Sequence, residues 1–230
     1  MTGGSSSAQE EQDWNERQLS VPVAEPAWRF WRYTGAAIVL GSSQRAQLAA
    51  VRARTALPVL VRSAGGGAVL TGPWLLGLSV LLPDRHPLLT GSLVDSYRWL
   101  GELYERILRA SGIAAATVPR GSALLGRPPD PLSWACFGAF SPWELAVGAR
   151  KIAGLAQRRR KQGALLTGGL LLDQVDWPLL CAALDRPAAE AAELARRTTG
   201  CAQETGALPP IPDFLAQFDA ELRCALAAER

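Results

Sequence analysis

The strongest constraint on the fold of this chain is the division of its apolar residues into short runs that end at glycine, proline or a charged residue. Residues 37 to 41 read AIVLG, residues 58 to 62 read PVLVR, and residues 77 to 82 read GLSVLL. Short runs of this kind, rich in apolar and β-branched residues, are typical of buried strands. No run approaches the roughly 20 apolar residues that a membrane-spanning helix needs. The sequence therefore predicts a sheet inside a globular fold, with no membrane partner.

Periodic segments around these runs predict helices and a second set of strands. Residues 92 to 110 place apolar side chains at helical spacing, with Ser92 as a cap and Gly112 just past the end. Alanine-rich helices are expected at residues 187 to 199 and 211 to 227. Residues 120 to 130 are expected to form a surface loop, and residues 158 to 162 a basic loop. Further strands are expected at residues 114 to 118, 143 to 147, 152 to 156 and 164 to 172.

Length and composition bound the domain organisation. The chain has 230 residues, of which 48% are hydrophobic, which is enough for one sizeable core. Residues 1 to 24 begin Gly/Ser-rich and then turn acidic, without the features of a signal peptide or an anchor, and are predicted to form a flexible tail. Residues 25 to 230 are predicted to form a single domain. The predicted fold is α/β (α+β), with a mixed, largely antiparallel sheet flanked by helices.

Charge and cysteine usage exclude several classes of function. The chain has 24 basic and 21 acidic residues, a balance too even to make nucleic acid the expected partner. Its four cysteines, Cys136, Cys181, Cys201 and Cys224, include no C-x-x-C pair, so neither a metal site nor a disulfide framework is predicted. Free thiols in the reducing cytoplasm are expected, and Cys181, Cys201 and Cys224 are interpreted as structural.

Two motifs point to ligand chemistry. Residues 62 to 69 read RSAGGGAV, and three glycines in succession let backbone N–H groups approach an acyl or phosphate oxygen closely. Residues 150 to 159 read RKIAGLAQRR, which places Lys151 at the start of an apolar strand where its ammonium can point into a pocket. Such an ammonium could stabilise negative charge that develops on a carbonyl or phosphoryl oxygen. A mobile glycine turn and an exposed lysine are the alternative interpretations.

These motifs, together with Arg29-Phe30-Trp31 and the Ile38 to Gln44 strand end, resemble those of the lipoate-protein ligase A and octanoyltransferase superfamily. That superfamily shares its fold with biotin-protein ligases. The similarity covers roughly residues 28 to 173. It implies a biotin/lipoate protein ligase catalytic-domain-like fold in which an acyl tunnel lies between the glycine loop and the Lys151 strand.

The resemblance also implies roles for individual residues. Cys136 precedes Phe137, and a Cys-Phe pair at similar spacing supplies the acyl-accepting thiol in cysteine-dependent octanoyltransferases of the superfamily. Cys136 and Lys151 are therefore the predicted catalytic residues. A buried, structural Cys136 is the alternative. The predicted substrate-binding residues are Arg62, Gly65, Gly66, Gly67, Ala68, Gly154, Ala156, Gln157, Thr167 and Gly168.

Three functions follow as hypotheses. The first is transfer of an octanoyl or lipoyl group through a Cys136 thioester to a lysine of a lipoyl domain. The second is an ATP-dependent lipoate-protein ligase, which would use ATP and Mg²⁺, and the third is a non-catalytic lipoyl-binding relative. The resemblance implies lipoate or an octanoyl group as substrate. It implies acyl-carrier protein, and lipoyl domains of 2-oxoacid dehydrogenases or the glycine cleavage carrier protein, as partners.

The chain departs from the superfamily pattern at two positions. Many relatives carry a histidine shortly after the glycine loop and another after the basic turn, where this chain has Thr71 and Thr167. The one histidine, His86, is predicted to face solvent. The missing histidines motivate the non-catalytic hypothesis, because no imidazole is left at these places to act as a base.

Overall fold

The computed structural model describes residues 5–126 and 130–227, and these residues fold into two sheets and the helices that cover them. The strands are β1 Ser5–Ser6, β2 Ala27–Tyr33, β3 Ala37–Leu40, β4 Val59–Val61, β5 Val69–Thr71, β6 Leu75–Leu82, β7 Ala115–Thr117, β8 Leu145–Val147, β9 Arg150–Arg160 and β10 Gly163–Leu171. The helices are α1 Ala8–Gln18, α2 Leu48–Arg54, α3 Arg98–Ala110, α4 Trp177–Ala183, α5 Ala188–Arg197, α6 Cys201–Thr205 and α7 Ile211–Ala227.

The two sheets have mixed but mainly antiparallel pairing. In the described ranges the large sheet has the order β1-β2-β6-β10-β9-β8-β7, and the small sheet has the order β4-β3-β5. Only the β1/β2 and β3/β4 pairs run parallel among these strands. The predicted fold class is therefore confirmed. None of the helices in these ranges combines the length and the apolar character needed to cross a membrane.

The large sheet is covered on both faces, which explains why its central strands are apolar throughout. Every residue of β6 is buried. One face packs against α3 and α7, where the Phe218 ring lies 4.9 Å from that of Tyr104 and 5.8 Å from that of Phe30. The other face packs against the small sheet and helices α2, α4 and α5. The space between the two sheets holds the candidate site.

The N-terminal segment differs from the flexible tail predicted for residues 1 to 24, of which residues 1 to 4 lie outside the described residues. The segment folds as β1 and α1, and Ser7 caps the helix by accepting a hydrogen bond from the Glu10 N–H at 3.2 Å. Leu19 is buried, and the Glu11 carboxylate accepts a hydrogen bond from Tyr33. The prediction missed this helix because its inward face carries polar residues, which weakens the apolar periodicity.

The prediction of a basic loop at residues 158 to 162 is also wrong. Strand β9 continues to Arg160, and only a tight turn separates β9 from β10. Strand pairing explains the difference, because Arg158 and Arg160 pair with Leu165 and Gly163 of β10. The same two arginines also bind the Glu16 carboxylate of α1 at 2.5 and 3.0 Å. In the surface loop predicted for residues 120 to 130, residues 127 to 129 lie outside the described residues.

Two leucine-to-alanine substitutions test how the C-terminal helix contributes to the core. Leu222 of α7 is fully buried, whereas Leu208, just before the helix, is 52% exposed. We expect Leu222→Ala to lower the free energy of unfolding by about 2–5 kcal/mol, since it removes packed methyl groups and leaves a cavity. Leu208→Ala should change it by no more than about 0.5 kcal/mol. Urea denaturation measures both, and equal effects would contradict the packing of α7.

Candidate functional site

The three consecutive glycines lie in the connection between β4 and β5, and each meets a different requirement. Gly66 has φ of +92°, a conformation that other residues rarely adopt. A side chain at Gly67 would place its Cβ 2.4 Å from the Trp134 carbonyl oxygen, so the two backbones must touch there. Gly65 has open space around it. The loop is thus packed tightly on one side and open at Gly65.

Arg62 fixes the shape of this loop. Its guanidinium donates to the Gly65 carbonyl at 2.9 Å and to the Gly67 carbonyl at 2.7 Å. A second side chain, that of Gln44, accepts from the Gly41 N–H and donates to the Trp134 carbonyl. Arg62 thus supplies a donor for two loop carbonyls, while Gln44 ties the end of β3 to the segment that carries Cys136.

The glycine loop is joined directly to the segment that carries Cys136. The Ala68 N–H donates to the Trp134 carbonyl at 2.7 Å, and the Cys136 N–H donates to the Ala68 carbonyl at 2.8 Å. Two motifs that are almost 70 residues apart in the sequence therefore form one hydrogen-bonded unit. Any shift of the loop would move the backbone of Cys136.

Lys151 is buried and forms an ion pair. Its ammonium lies 2.6 Å from the Glu144 carboxylate and donates to the carbonyls of Cys136 and Ala139 at 2.7 and 2.8 Å. These three acceptors match the three N–H donors of a lysine. The prediction that this ammonium points into a pocket is wrong, because Lys151 does not line the cavity beside Cys136 and its ammonium is instead bound to the segment that carries Cys136.

Glu144 is a functional candidate that the sequence analysis missed. Its carboxylate accepts hydrogen bonds from the backbone N–H groups of Ser141 and Leu155, at 2.6 and 3.0 Å, in addition to the Lys151 ammonium. It is 3% exposed. A single carboxylate inside the otherwise apolar WELAV run was the signal available in the sequence, because a charged residue is rarely buried without a partner.

The Cys136 thiol, the Lys151 side chain and the Glu144 carboxylate converge on Gly154. A Cβ at Gly154 would lie 3.6 Å from the Cys136 Sγ, 3.4 Å from the Lys151 Cε and 3.3 Å from a Glu144 oxygen. The absence of a side chain there leaves room beside the sulfur. The structure thus brings the two predicted catalytic residues, Cys136 and Lys151, to one place.

The other three cysteines lie elsewhere. Cys181 and Cys201 are buried, and burial raises the pKa of both thiols, that of Cys201 to about 12. Both thiols therefore stay protonated near neutral pH, in agreement with a structural role. Cys224 is exposed on α7, which contradicts its interpretation as a structural residue.

A narrow cavity opens beside Cys136, between the large and small sheets. Its walls are mainly apolar, and the centres of water molecules can occupy about 70 Å³ of it. It is lined by Glu11, Gln12, Tyr33, Val39, Arg62, Val69, Thr71, Leu75, Gly77, Cys136, Phe137, Gly154, Leu155, Ala156, Thr167, Gly168 and Gly169. An apolar cavity with a thiol in its wall suits the chain of an acyl group better than a polar substrate.

The predicted substrate-binding residues divide into two groups. One group lines the cavity with Cys136 and consists of Arg62, Gly154, Ala156, Thr167 and Gly168. The other lies outside the lining and consists of Gly65, Gly66, Gly67, Ala68 and Gln157. The side-chain oxygen of Gln157, Oε1, accepts a hydrogen bond from the Ser96 hydroxyl. The side-chain nitrogen of Gln157, Nε2, is buried without a hydrogen-bond partner among the described residues.

The two threonines that stand where many relatives have histidine both line the cavity. The Thr71 hydroxyl is buried and donates to the Ala37 carbonyl at 3.1 Å, which ties β5 to β3.

His86 is 8% exposed, so the prediction that it faces solvent is wrong. Its side chain accepts from the Leu88 N–H and caps a short 3₁₀ helix.

Solved structures with the same architecture support the fold. The chain matches a lipoate-protein ligase A bound with ATP with a TM-score of 0.68 and 19% identity, covering 97% of this chain and 84% of that one. It matches a biotin protein ligase from Aquifex aeolicus, in complex with biotin and ATP, with a TM-score of 0.51 and 14% identity. That match covers 97% of this chain and 67% of the other. The predicted kinship of the fold with both ligase types is confirmed.

Sequence comparison identifies the family. The octanoyltransferase LipM of an Exiguobacterium species is 39% identical over 168 residues, which are 70% of this chain and 60% of the relative. The chain thus spans less than two thirds of the length of that relative. Residues 8–222 match the family described as "Lipoyl protein ligase A/B catalytic domain". Because this match takes in nearly the whole chain and the fold agrees with it, the protein belongs to the lipoyl protein ligase A/B catalytic domain family.

Proposed function

We propose that this chain transfers an octanoyl group from a carrier-protein thioester to a lysine of a lipoyl domain, through a thioester on Cys136. The observation that carries the proposal is the presence of Cys136 in the wall of an apolar cavity, beside the buried Lys151–Glu144 pair. The 39% identity with an octanoyltransferase supports the acyl group and the reaction type. The thiol and cavity are what such a transfer requires.

In the first step of the proposed reaction, the Cys136 thiolate attacks the thioester carbonyl of the octanoyl carrier. The bond between the carbonyl carbon and the carrier sulfur breaks, and the carrier thiolate leaves and takes up a proton. One thioester replaces another, so the step needs no ATP. The Lys151 side chain and the Cys136 thiol both lie near Gly154, so the positive charge acts on the developing negative charge of the carbonyl oxygen through its field, while the ammonium N–H groups stay bound to Glu144, Cys136 and Ala139.

In the second step, the neutral ε-amine of a lysine on the lipoyl domain attacks the Cys136 thioester. An amide forms, the carbon–sulfur bond breaks, and the amine proton passes to solvent or to the departing thiolate. Amide formation from a thioester is downhill, which drives the overall transfer. Lys151 also positions Cys136 in both steps, as the nucleophile of the first and the leaving group of the second, because its ammonium binds the Cys136 carbonyl.

The proposed partners are an octanoyl-carrier protein and lipoyl domains, which are the partners that the resemblance implies. The hairpin between β9 and β10 offers them a basic surface of three arginines and Lys161. Arg158 and Arg160 share a single carboxylate, that of Glu16, so the surface keeps a net positive charge. A positive patch steers an acidic domain toward the site before any specific contact forms.

Mass spectrometry of pure protein mixed with octanoyl-carrier protein, without ATP, tests the proposal. We expect one octanoyl adduct on the Cys136 peptide, which hydroxylamine removes and which a lipoyl domain discharges by accepting the group on its lysine. Cys136→Ser should abolish the hydroxylamine-sensitive adduct. Cys224→Ser, which removes an exposed thiol outside the cavity lining, should leave it unchanged.

Other outcomes of this experiment would overturn the transferase. If no adduct forms, but lipoate, ATP and Mg²⁺ together modify the lipoyl domain with release of AMP, the chain is an ATP-dependent ligase. If neither donor is used and a lipoyl domain or lipoate still binds, the chain is a non-catalytic relative. An adduct on Cys224 alone would remove the role assigned to Cys136.

A further inference from the structure

The floor of the cavity is a row of three glycines that cross the large sheet. Gly77 of β6 pairs with Gly169 of β10, and Gly169 pairs with Gly154 of β9. Residues paired directly across strands project their side chains to the same face. The missing Cβ of Gly77 would meet Tyr33 and Trp31, and that of Gly169 would meet Leu75 and Phe137. The missing Cβ of Gly154 would meet Cys136, Lys151 and Glu144. The row therefore forms the floor of a groove to which these three positions contribute no side chain.

The two ends of this groove are chemically different. At the β9 end, Gly154 lies beside the Cys136 sulfur. At the β6 end, the Tyr33 hydroxyl lies 2.4 Å from the position that a Cβ of Gly77 would occupy, so the phenol covers this glycine. The Tyr33 hydroxyl donates to the Glu11 carboxylate at 2.7 Å. A thiol thus stands at one end and a polar pair closes the other.

The length of the groove fits a medium acyl chain. Adjacent strands lie about 4.8 Å apart, so the two strand spacings from Gly154 to Gly77 amount to roughly 10 Å. An extended chain of eight carbons spans roughly 9 Å, since carbon–carbon bonds are near 1.5 Å. A chain of that length attached to Cys136 would end against Tyr33.

We propose that Tyr33 and Glu11 form the end wall that limits the length of the acyl chain held on Cys136. The assignment of an acyl group rests on the proposed function, whereas the existence of a length limit rests on the groove alone. Tyr33 is 4% and Glu11 8% exposed. A longer chain would press its terminal methylenes against the hydrogen-bonded pair and separate buried polar groups, which is costly.

The buried environment of this wall supports its role as a closed end. Burial is the main cause that raises the pKa of the Glu11 carboxyl, while the Tyr33 hydroxyl and Arg62 act in the opposite direction. Burial, together with the charge of Glu11, raises the pKa of the Tyr33 phenol well above its ordinary value. These shifts follow from the low exposure of both side chains, 4% for Tyr33 and 8% for Glu11, which leaves water little access to the pair.

Gly169, in the middle of the row, gives a variant that shortens the groove without disturbing the fold. A Cβ there would lie 3.5 Å from Leu75 Cδ1 and 3.8 Å from Phe137 Cζ, which are ordinary contact distances. Gly169→Ala should therefore fold normally and place a methyl group across the path from Cys136 to Tyr33. Gly35→Ala makes the same chemical change at an exposed position with nothing within 4 Å, and serves as the matched control.

Straight-chain alkyl methanethiosulfonates measure the groove without any acyl transfer. The Cys136 thiolate attacks the alkyl-bearing sulfur, a disulfide forms, the bond to the sulfonyl sulfur breaks, and methanesulfinate leaves. Butyl, hexyl, octyl, decyl and dodecyl reagents are compared by mass spectrometry of the Cys136 peptide. The exposed thiol of Cys224 reports in the same sample how the reagents react without a groove.

In the wild type we expect the rate at Cys136, relative to Cys224, to rise roughly tenfold for each pair of added methylenes up to octyl, since each buries further apolar surface. The relative rate should then fall for decyl and dodecyl. In Gly169→Ala the fall should begin at hexyl or octyl, and Gly35→Ala should match the wild type. A Gly169→Ala protein with the wild-type length profile, or parallel rates at Cys136 and Cys224, would overturn the proposal.

A second variant tests the end wall itself. Tyr33→Leu combined with Glu11→Met replaces both members of the polar pair, so that neither is left buried without a partner. Leucine is shorter than the phenol, so the double variant should leave more room at this end. We expect the decyl reagent to react roughly tenfold faster at Cys136 than in the wild type. The drop in relative rate should then begin only with longer reagents. An unchanged decyl rate in the folded double variant would assign the limit to other residues.

The two proposals fail in different ways. If octanoyl-carrier protein does not acylate Cys136 but the alkyl reagents show the length limit, the transferase is wrong and the groove assignment stands. If acylation occurs and the length profile is flat, the transferase stands and the end wall is wrong.

Discussion

Replacing Lys151 with alanine is expected to lower the free energy of unfolding by about 3–5 kcal/mol, because it leaves the buried Glu144 carboxylate without its counter-ion. The same change should slow acylation of Cys136 on the order of 10²-fold or more, since it removes the nearby positive charge. The Lys151 ammonium also binds the carbonyls of Cys136 and Ala139, and both would lose a donor. The effect therefore combines stability with catalysis.

Two controls separate these contributions. Lys161→Ala removes the other lysine of the chain, which is exposed at the β9–β10 turn, and should change stability by no more than about 0.5 kcal/mol. Lys151→Met with Glu144→Gln removes both charges while the glutamine oxygen still accepts a backbone N–H. This double variant should recover part of the stability, by the logic of a double-mutant cycle, but not the acylation rate.

Denaturant unfolding and single-turnover acylation are the measurements for this set. A Lys151→Ala protein as stable as the wild type would contradict the ion pair seen here. A stable double variant that acylates Cys136 at the wild-type rate would show that the charge of Lys151 has no catalytic role and that the lysine only supports the fold.

The elements of the fold that could be predicted from the sequence are those whose signal is local. The AIVLG run became β3, and the 3.6-residue spacing before Gly112 became α3, because burial of apolar side chains dictates both patterns. Helix α1 could not be found in this way. It buries Glu11 and Asn15, so its pattern of apolar residues is incomplete, and its stability depends on contacts with distant strands.

The parts of the site that could not be predicted depend on pairing between distant strands. The sequence places single glycines at 77, 154 and 169, but nothing local states that they lie in one row. That arrangement depends on the register of β10 against both β6 and β9. The same holds for Glu144, whose partner Lys151 becomes its neighbour only when the chain between them turns back. Cys136 and Lys151 could be predicted because both lie in sequence motifs.

The glycine loop provides the second large expected effect. We expect Gly67→Ala to destabilise the protein by about 1–3 kcal/mol, because its Cβ would lie 2.4 Å from the Trp134 carbonyl oxygen and backbone must move to relieve the clash. The movement would strain the Ala68–Trp134 and Cys136–Ala68 hydrogen bonds that hold the thiol in place. A displacement of about 1 Å can cost on the order of 10²-fold in rate.

Gly65→Ala is the matched comparison, since it makes the same change in the same loop at a position with nothing within 4 Å. It should leave the free energy of unfolding within about 0.5 kcal/mol of the wild type. Thermal unfolding and Cys136 acylation by octanoyl-carrier protein are measured for both variants. If Gly67→Ala slows acylation and Gly65→Ala does not, the loop acts by placing Cys136. If Gly65→Ala slows acylation in a fully stable protein, its open backbone contacts the carrier or the acyl group, as the sequence motif first indicated. Equal stability and equal rates in both variants would contradict the close contact between the loop and the Cys136 segment.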